Sequence, residues 1–557
     1  MNDSPPSPSR QLKTLAVVAR WLLWLLLAAW LVLALAWGAL HGWIVPRIGE
    51  LRPALEIEAS RVLGVPVRIG DISARTEGLV PSFALGNVVL LDPQGREALR
   101  LPRVVAGLSP RSLWNLGFEQ LVIDQPALDI RRAANGRVYV AGLDFSRGDQ
   151  SDGRAADWFF SQTELVIRGG TVRWTDELRG SEPLVLSDVD FVARNRARRH
   201  ALRLDATPPP GWGQRFSLRG QFRQPLLSTR AGRWQDWDGQ LFADFAKVDV
   251  AQLRRHADLG VNITQGLGAL RLWADVNKGE VSGGAADIAL DTVDVTLGPQ
   301  LQPLALAAVS GRLAGRRLAN GFEFSTRDLQ FRTPDGLVWP GGNVALTWTG
   351  AEGKILAQGE LRADRLDLAA LSQVATRLPL GTATHALLAA HAPRGLVESV
   401  QARWQGPLGA PEKYQAKGRA TALEVAARPA TLPRGSTATH APAGVPGIRG
   451  ASVEFDFTQA GGKARLSVQK GALELPGVFE DPVVALDQFS TDAQWQINGG
   501  AIALTLGNLK FANADAEGQA EVSWRTSDPA VSGSRSRFPG VLDLQATLSR
   551  AEGTDRK

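Results

Sequence analysis

His385 and His391 are the closest pair among six histidines, and they stand six residues apart on Thr382–His391, a run with helical spacing closed by Pro393-Arg394-Gly395. A two-histidine metal site on a helix needs spacing i, i+4 with a carboxylate nearby. Neither this pair nor His41, His200, His256 and His440 meets that condition. The sequence holds no cysteine, which excludes disulfides, thiol nucleophiles and thiolate-bound zinc or iron–sulfur clusters. Asp291 and Asp294 could in principle share acid–base work, but their strand-like surroundings turn them to solvent. Gly266-Leu267-Gly268 and Gly341-Gly342 lack the lysine of a phosphate loop, and no Gly-x-Ser-x-Gly elbow occurs. The expectation is a protein that is not an enzyme, with no catalytic residue, no metal site and no cofactor.

Binding chemistry is the next possibility. The net charge is +6, from 62 basic and 56 acidic residues that interleave almost everywhere. Nucleic-acid binding calls for a clustered basic face, so no nucleic-acid partner is expected. The one dense run, Arg194, Arg196, Arg198, Arg199 and His200, reads as a solvated loop. Seventeen tryptophans against two tyrosines raise a glycan-binding reading, with Trp234 and Trp237 as the best local pair. Most body tryptophans fall within alternating stretches, where packing is the commoner role.

The elements that would position such residues are mainly strands. From Val65 onward apolar residues recur at every second position, as in Leu270, Leu272, Ala274 and Val276; Val344, Leu346 and Trp348; Val453, Phe455 and Phe457; and Ile502, Leu504 and Leu506. Strand side chains alternate between faces, so each segment has one apolar and one polar side. Asn135-Gly136 and Asn498-Gly499 fit tight hairpins. The pattern predicts an antiparallel meander with few helices: Ala251–Leu259, Leu366–Leu378 and Thr382–His391. Flexible joints are expected at Ser146–Ala156, Pro208–Pro210 and Arg428–Gly447. Periodicity alone favours an ordinary sandwich, in which a second sheet buries the apolar stripe.

Ahead of the strands, Trp21–Leu40 is a run of 20 residues without charge. Such a helix covers a hydrocarbon core of about 30 Å. It is expected as a transmembrane helix over 21–43, with Trp21, Trp37 and Trp43 as interface anchors. A cleaved signal peptide, with Ala34, Leu35 and Ala36 at the cut, is the competing reading. Arg10, Lys13 and Arg20 before the run balance Arg47, Arg52 and Arg61 after it, so charge does not orient the helix. A juxtamembrane helical segment follows in 44–64, with a short helix from Pro53 to Leu63 stopped by Gly64.

The order of Trp43–Ala74, Phe83–Leu143, VWPGGNVALTWTG at Val338–Gly350, Leu388–Gly406 and Gly471–Gly500 resembles the YhdP-type branch of the AsmA-like superfamily over essentially the whole chain. The resemblance implies a bridge-like lipid-transfer protein: a tail over 1–20 in the cytoplasm, an anchor in the inner membrane, and a β-rich region over 65–557 in the periplasm. That region would be a long curled sheet whose apolar groove carries phospholipid toward the outer membrane and supports its permeability barrier. It also implies a chain continuing past Lys557, making this the N-terminal portion. A scaffold or assembly factor for outer-membrane biogenesis, working with other envelope proteins, is the alternative. With a groove in place, its expected lining is Leu270, Leu272, Val276, Val344, Leu346, Trp348, Val453, Phe455 and Phe457.

Overall fold

The structure, a computed structural model, describes residues 10–39, 52–75, 82–91, 97–107, 118–141, 143–144, 154–228, 232–256, 260–339, 341–353, 356–380, 382–407, 411–428, 444–478, 481–528 and 540–551, with single positions at 42, 47, 49, 50, 230 and 537. Two compact units are distinguished: residues up to Ala246 with Asp275–Val281, and Lys247–Ala274 with Ser282 onward.

In the first unit, helix α1 runs Arg10–Ala39 and helix α2 Arg52–Leu63. Pro53 sits in the first turn of α2, where its missing N–H costs nothing, and Gly64 ends the helix at φ 74°. The strands are β1 (Val67–Arg75), β2 (Ser82–Leu91), β3 (Glu97–Gly107), β4 (Gln120–Asp124), β5 (Ala127–Arg132), β6 (Val138–Val140) and β7 (Leu143–Asp144). After helix α3 (Arg154–Ser161) come β8 (Glu164–Asp176), β9 (Ser181–Arg196), β10 (Arg199–Thr207), β11 (Phe216–Arg223) and β12 (Asp238–Asp249).

Most neighbours pair antiparallel, and Asn135-Gly136 makes the β5–β6 hairpin as expected. The expectation of a purely antiparallel sheet is corrected here. Strand β8 runs parallel to both β4 and β5, because α3 lies on the return path and a crossover of this kind restores the strand direction. That helix also takes in Arg154–Ala156, the end of a segment read as a flexible joint; residues 146–153 lie outside the described residues.

The core of this unit is closed. Ile69, Val88, Leu101, Ala106, Leu121, Leu165, Ile167 and Ala193 are buried, with Ala59 and Leu63 of α2 and Trp158 and Phe159 of α3 packed against them. Helix α2 is fastened to β1 by backbone donors: Ile69 N–H to Glu56 Oε1 at 2.7 Å and Val67 N–H to Ser60 Oγ at 2.8 Å. Helices therefore seal the apolar side of these strands.

The expected transmembrane helix is corrected in form. Trp21–Ala39 is helical within α1, and Trp21, Leu22, Leu31 and Trp37 stand exposed. Yet among the described residues no helix is long and apolar enough to cross a membrane. Trp43 lies outside the described residues.

The second unit holds helix α4 (Val250–His256), then β13 (Asn262–Asn277), β14 (Glu280–Thr296), β15 (Leu304–Leu318), β16 (Gly321–Arg332), β17 (Val338–Trp339), β18 (Val344–Thr349) and β19 (Gln358–Asp367). Helices α5 (Leu368–Val374) and α6 (Thr382–His391) precede β20 (Arg394–Gln405), β21 (Lys413–Val425), β22 (Gly447–Thr458), β23 (Gly461–Glu474), β24 (Val483–Asn498), β25 (Ala501–Ala512), β26 (Ala516–Arg525) and β27 (Val541–Ala551). The Asp367 carboxylate caps α5 by accepting from Ala370 N–H at 2.9 Å. From β14 to β27 the chain is an antiparallel meander, with β18 stepping past the short β17 to pair with β16.

A line of bulges crosses this meander. Thr292, Asp328, Arg365, Ala422, Lys470 and Asn508 all have φ between 48° and 54°, and the register slips near Asp328, Ala422, Lys470 and Asn508. Each bulge bends its strand and raises the local twist. It also swaps which parity of residue faces the apolar side.

Candidate functional site

Register alone builds the site. One cross-strand row reads Gly284, Gly315, Phe324, Leu346, Leu361, Ala402, Ala416, Phe457, Gly462, Trp495, Leu504, Trp524 and Leu542. The adjacent row on the same face reads Ala286, Leu313, Thr326, Val344, Ala363, Val400, Gly418, Phe455, Ala464, Ala493, Leu506, Val522 and Leu544. Across these thirteen strands the two rows contain one polar side chain, Thr326, whose Oγ1 accepts from Val344 N–H at 3.1 Å. At about 4.8 Å per strand the rows cover roughly 60 Å of sheet.

The opposite face reads Ser325, Ala345, Arg362, Gln401, Lys417, Asp456, Lys463, Gln494, Thr505, Ser523 and Asp543 over β16–β27. Ion pairs ladder it: Arg465 with Asp492 at 3.1 Å, Arg419 with Glu398 at 3.2 Å, and Arg312 with Asp287 at 2.7 Å. Glu360 accepts from Gln401 at 2.9 Å and Arg362 at 2.7 Å, and these partners, Gln401 foremost, push its carboxyl down to about 2. A hollow of about 1060 Å³ between Arg419, Glu454, Arg465 and Asp492 belongs to this charged side. Its lining also includes Val400, Phe455 and Ala493 of the second row.

Exposure decides between a sandwich and an open face. In a sandwich the inward stripe is sealed by its partner sheet. Here Phe322 is 44%, Phe324 40%, Leu542 60% and Leu544 59% exposed, and most of the apolar side chains between them are half-buried. Among the described residues no second layer seals the middle of this face. A small buried cluster, Ala451, Val468, Leu486 and Phe489, straddles the bulge line.

The expected lining residues fall into place unevenly. Leu346 and Phe457 share the first row, Val344 and Phe455 the second, with Trp348 and Val453 one step outward on the same face. For β13 the side follows from two contacts. A Cβ on Gly284 would collide with the Trp273 carbonyl oxygen, and the Trp273 ring lies 5.2 Å from the guanidinium of Arg312 on the charged face. Alternation then turns Leu270 and Leu272 to the apolar face, Leu270 buried and Leu272 half-buried. Val276 is buried and belongs to the first unit. Sequence reasoning missed Phe322, Phe324, Trp404, Trp495 and Trp524, all reachable by extending each alternating run toward the strand end.

Two other sequence readings are corrected. Trp237 is buried and stacks on His200 with ring centroids 4.0 Å apart, while only Trp234 is exposed. A sugar could therefore not stack between them. His200 is likewise no part of a solvated loop: it sits inside the β9–β10 hairpin, edge-on to Phe160, with Nδ1 2.8 Å from Asn195 Oδ1. Asn195 Nδ2 donates to the Gln162 carbonyl at 2.8 Å. Burial pushes the His200 imidazole down to about 4, so at neutral pH it is an uncharged packing element.

A long strand meander with one continuous apolar face and one charge-laddered face defines a class: β-rich proteins that present extended apolar surface from a single sheet layer. The chain belongs to the YhdP family, whose model, described as "YhdP protein", matches residues 6–556. No curated protein and no solved structure matches the chain.

Proposed function

We propose that this chain is a non-enzymatic carrier of phospholipid at the bacterial inner membrane, with its β-rich body in the periplasm. Acyl chains lie on the apolar face of β14–β27 and move along it toward the outer membrane. The observation that carries this reading is the pair of apolar rows running unbroken across thirteen strands, without a covering layer among the described residues. Leaving a CH₂ in water costs about 0.8 kcal/mol, so a free acyl chain faces a penalty on the order of 10 kcal/mol. A face of this kind removes most of that cost at every step. One acyl chain reaches about half a bilayer core, some 15 Å, or about three strand spacings. The face is several chain lengths wide, which suits transit better than a single fixed site. Membership of the YhdP family supports the same reading.

The test is lipid recovered with the purified full-length chain. Stoichiometric phospholipid is expected for the wild type, with a clear loss in Leu346→Asp and Phe455→Asp while the β-sheet circular dichroism is kept. Lipid-free wild-type protein would favour the scaffold reading, and global unfolding of both variants would mark these positions as plain core.

A further inference from the structure

A third row on the apolar face reads Phe322, Trp348, Gly359, Trp404 and Tyr414. Gly359 is its only residue without a ring, and the reason is steric. A Cβ at 359 would fall on Cζ2, Cε2 and Cη2 of Trp404 and would meet no backbone atom among its nearest neighbours. The indole of Trp404 therefore lies flat across the neighbouring strand, directly over the glycine. Other glycines of this face also sit under rings, but backbone crowds them too. Gly418 has Ser399 O at 2.5 Å from its Cβ position, and Gly462 has Asp456 O at 2.7 Å. At Gly359 the ring alone would have to give way.

The flat pose has a cost. Trp404 Nε1 is buried and has no hydrogen-bond partner among the described residues, so this donor loses its hydration without a replacement. Ring-over-glycine packing across strands offsets that loss. Any side chain at 359 removes the seat, and the indole must then rise off the sheet into the space above the rows.

We propose that Gly359 and Trp404 are a depth-setting pair: the glycine keeps the indole flat as floor, and so keeps the lane over β18–β21 open to a phospholipid acyl chain. The inference rests on the carrier reading and adds the residues that decide whether a chain can pass this point.

The experiment uses the full-length chain mixed with phosphatidylethanolamine–phosphatidylglycerol vesicles that carry a phospholipid with a diazirine on its acyl chain. After photolysis, labelled peptides of β18–β21 are quantified by mass spectrometry. Wild type is expected to label there. Gly359→Val is expected to lose labelling about five-fold or more, the equivalent of about 1 kcal/mol, and adding Trp404→Gly is expected to restore it. Trp404→Gly alone should label at least as strongly as wild type, which keeps the inference open to refutation if Gly359→Val fails to fold. Equal labelling of wild type and a folded Gly359→Val overturns the depth-setting pair and leaves the carrier reading standing, as does weakened labelling in Trp404→Gly. Absence of label in the wild type overturns the carrier reading itself.

Discussion

His200 shows how a residue that looks chemical becomes structural. Stacked on Trp237 and hydrogen-bonded through Asn195 to Gln162, it is held neutral, with its pKa lowered from 6.5 to about 4. A depressed folded-state pKa means that the unfolded chain binds the proton more readily. Its stabilising contribution is full above about pH 6.5 and is lost as the pH falls toward 4, by up to about 3 kcal/mol. The urea midpoint should therefore fall between pH 7.5 and 4.5, and His200→Gln should flatten that dependence; an unchanged slope in the variant would show that other groups cause it. Glu360 titrates lower. Its contribution is present above about 4.5 and fades toward 2, so Glu360→Gln should leave pH 7 stability within about 1 kcal/mol of wild type, as expected of a partly exposed ion pair. The sequence placed His200 in a basic run because Arg194, Arg196 and Arg199 surround it. Only the alternation of that hairpin, which sends His200 inward and the arginines outward, could have corrected the reading.

The strands separate two kinds of apolar residue that a period-two pattern cannot tell apart. Ile167 in β8 is sealed in the closed core with Trp158 and Phe159 of α3 against it, whereas Leu504 in β25 is half-buried on the open face. Ile167→Ala should cost about 2–5 kcal/mol. Leu504→Ala loses only part of a transfer energy that is about 1.5–3 kcal/mol even for a fully buried side chain, and creates no cavity. Chemical denaturation of the two variants checks the contrast, and similar losses would mean that the second unit also has a closed core. The hairpins, α2, α6 and the faces of Val344–Trp348 and Val453–Phe457 were legible because Asn-Gly turns, Gly64 and strict alternation mark them. The bulges were not. Arg365, Ala422 and Lys470 adopt positive φ, yet none is a residue type that announces it. Past them the alternation changes phase, so Val468 and Leu473, of opposite parity, join the same small cluster. Helix α3 was also missed: its eight residues do carry an apolar side with Trp158 and Phe159, but two turns are too short a run to establish a helical period.

At the scale of the whole molecule, the first unit is closed and the second presents an open face. Helices α2 and α3 seal the apolar side of one, and among the described residues the apolar rows of the other stay uncovered across β14–β27. That division favours a protein whose first unit supports and whose second unit binds. Its placement in the cell is a separate question, which a reporter fused after Arg52 answers: activity confined to the periplasm is expected, and an inactive, well-expressed fusion would contradict the proposed orientation. The central claim, that the apolar face meets lipid and the charged face does not, has a more direct test. A photo-crosslinking amino acid is placed in living cells at Phe457 or Leu504 on one face, and at Lys463 or Thr505 on the other, and phospholipid adducts are measured by mass spectrometry. Adducts at Phe457 and Leu504 with little at Lys463 and Thr505 are the predicted result; equal adducts on both faces, or none at Phe457 and Leu504, would contradict the account.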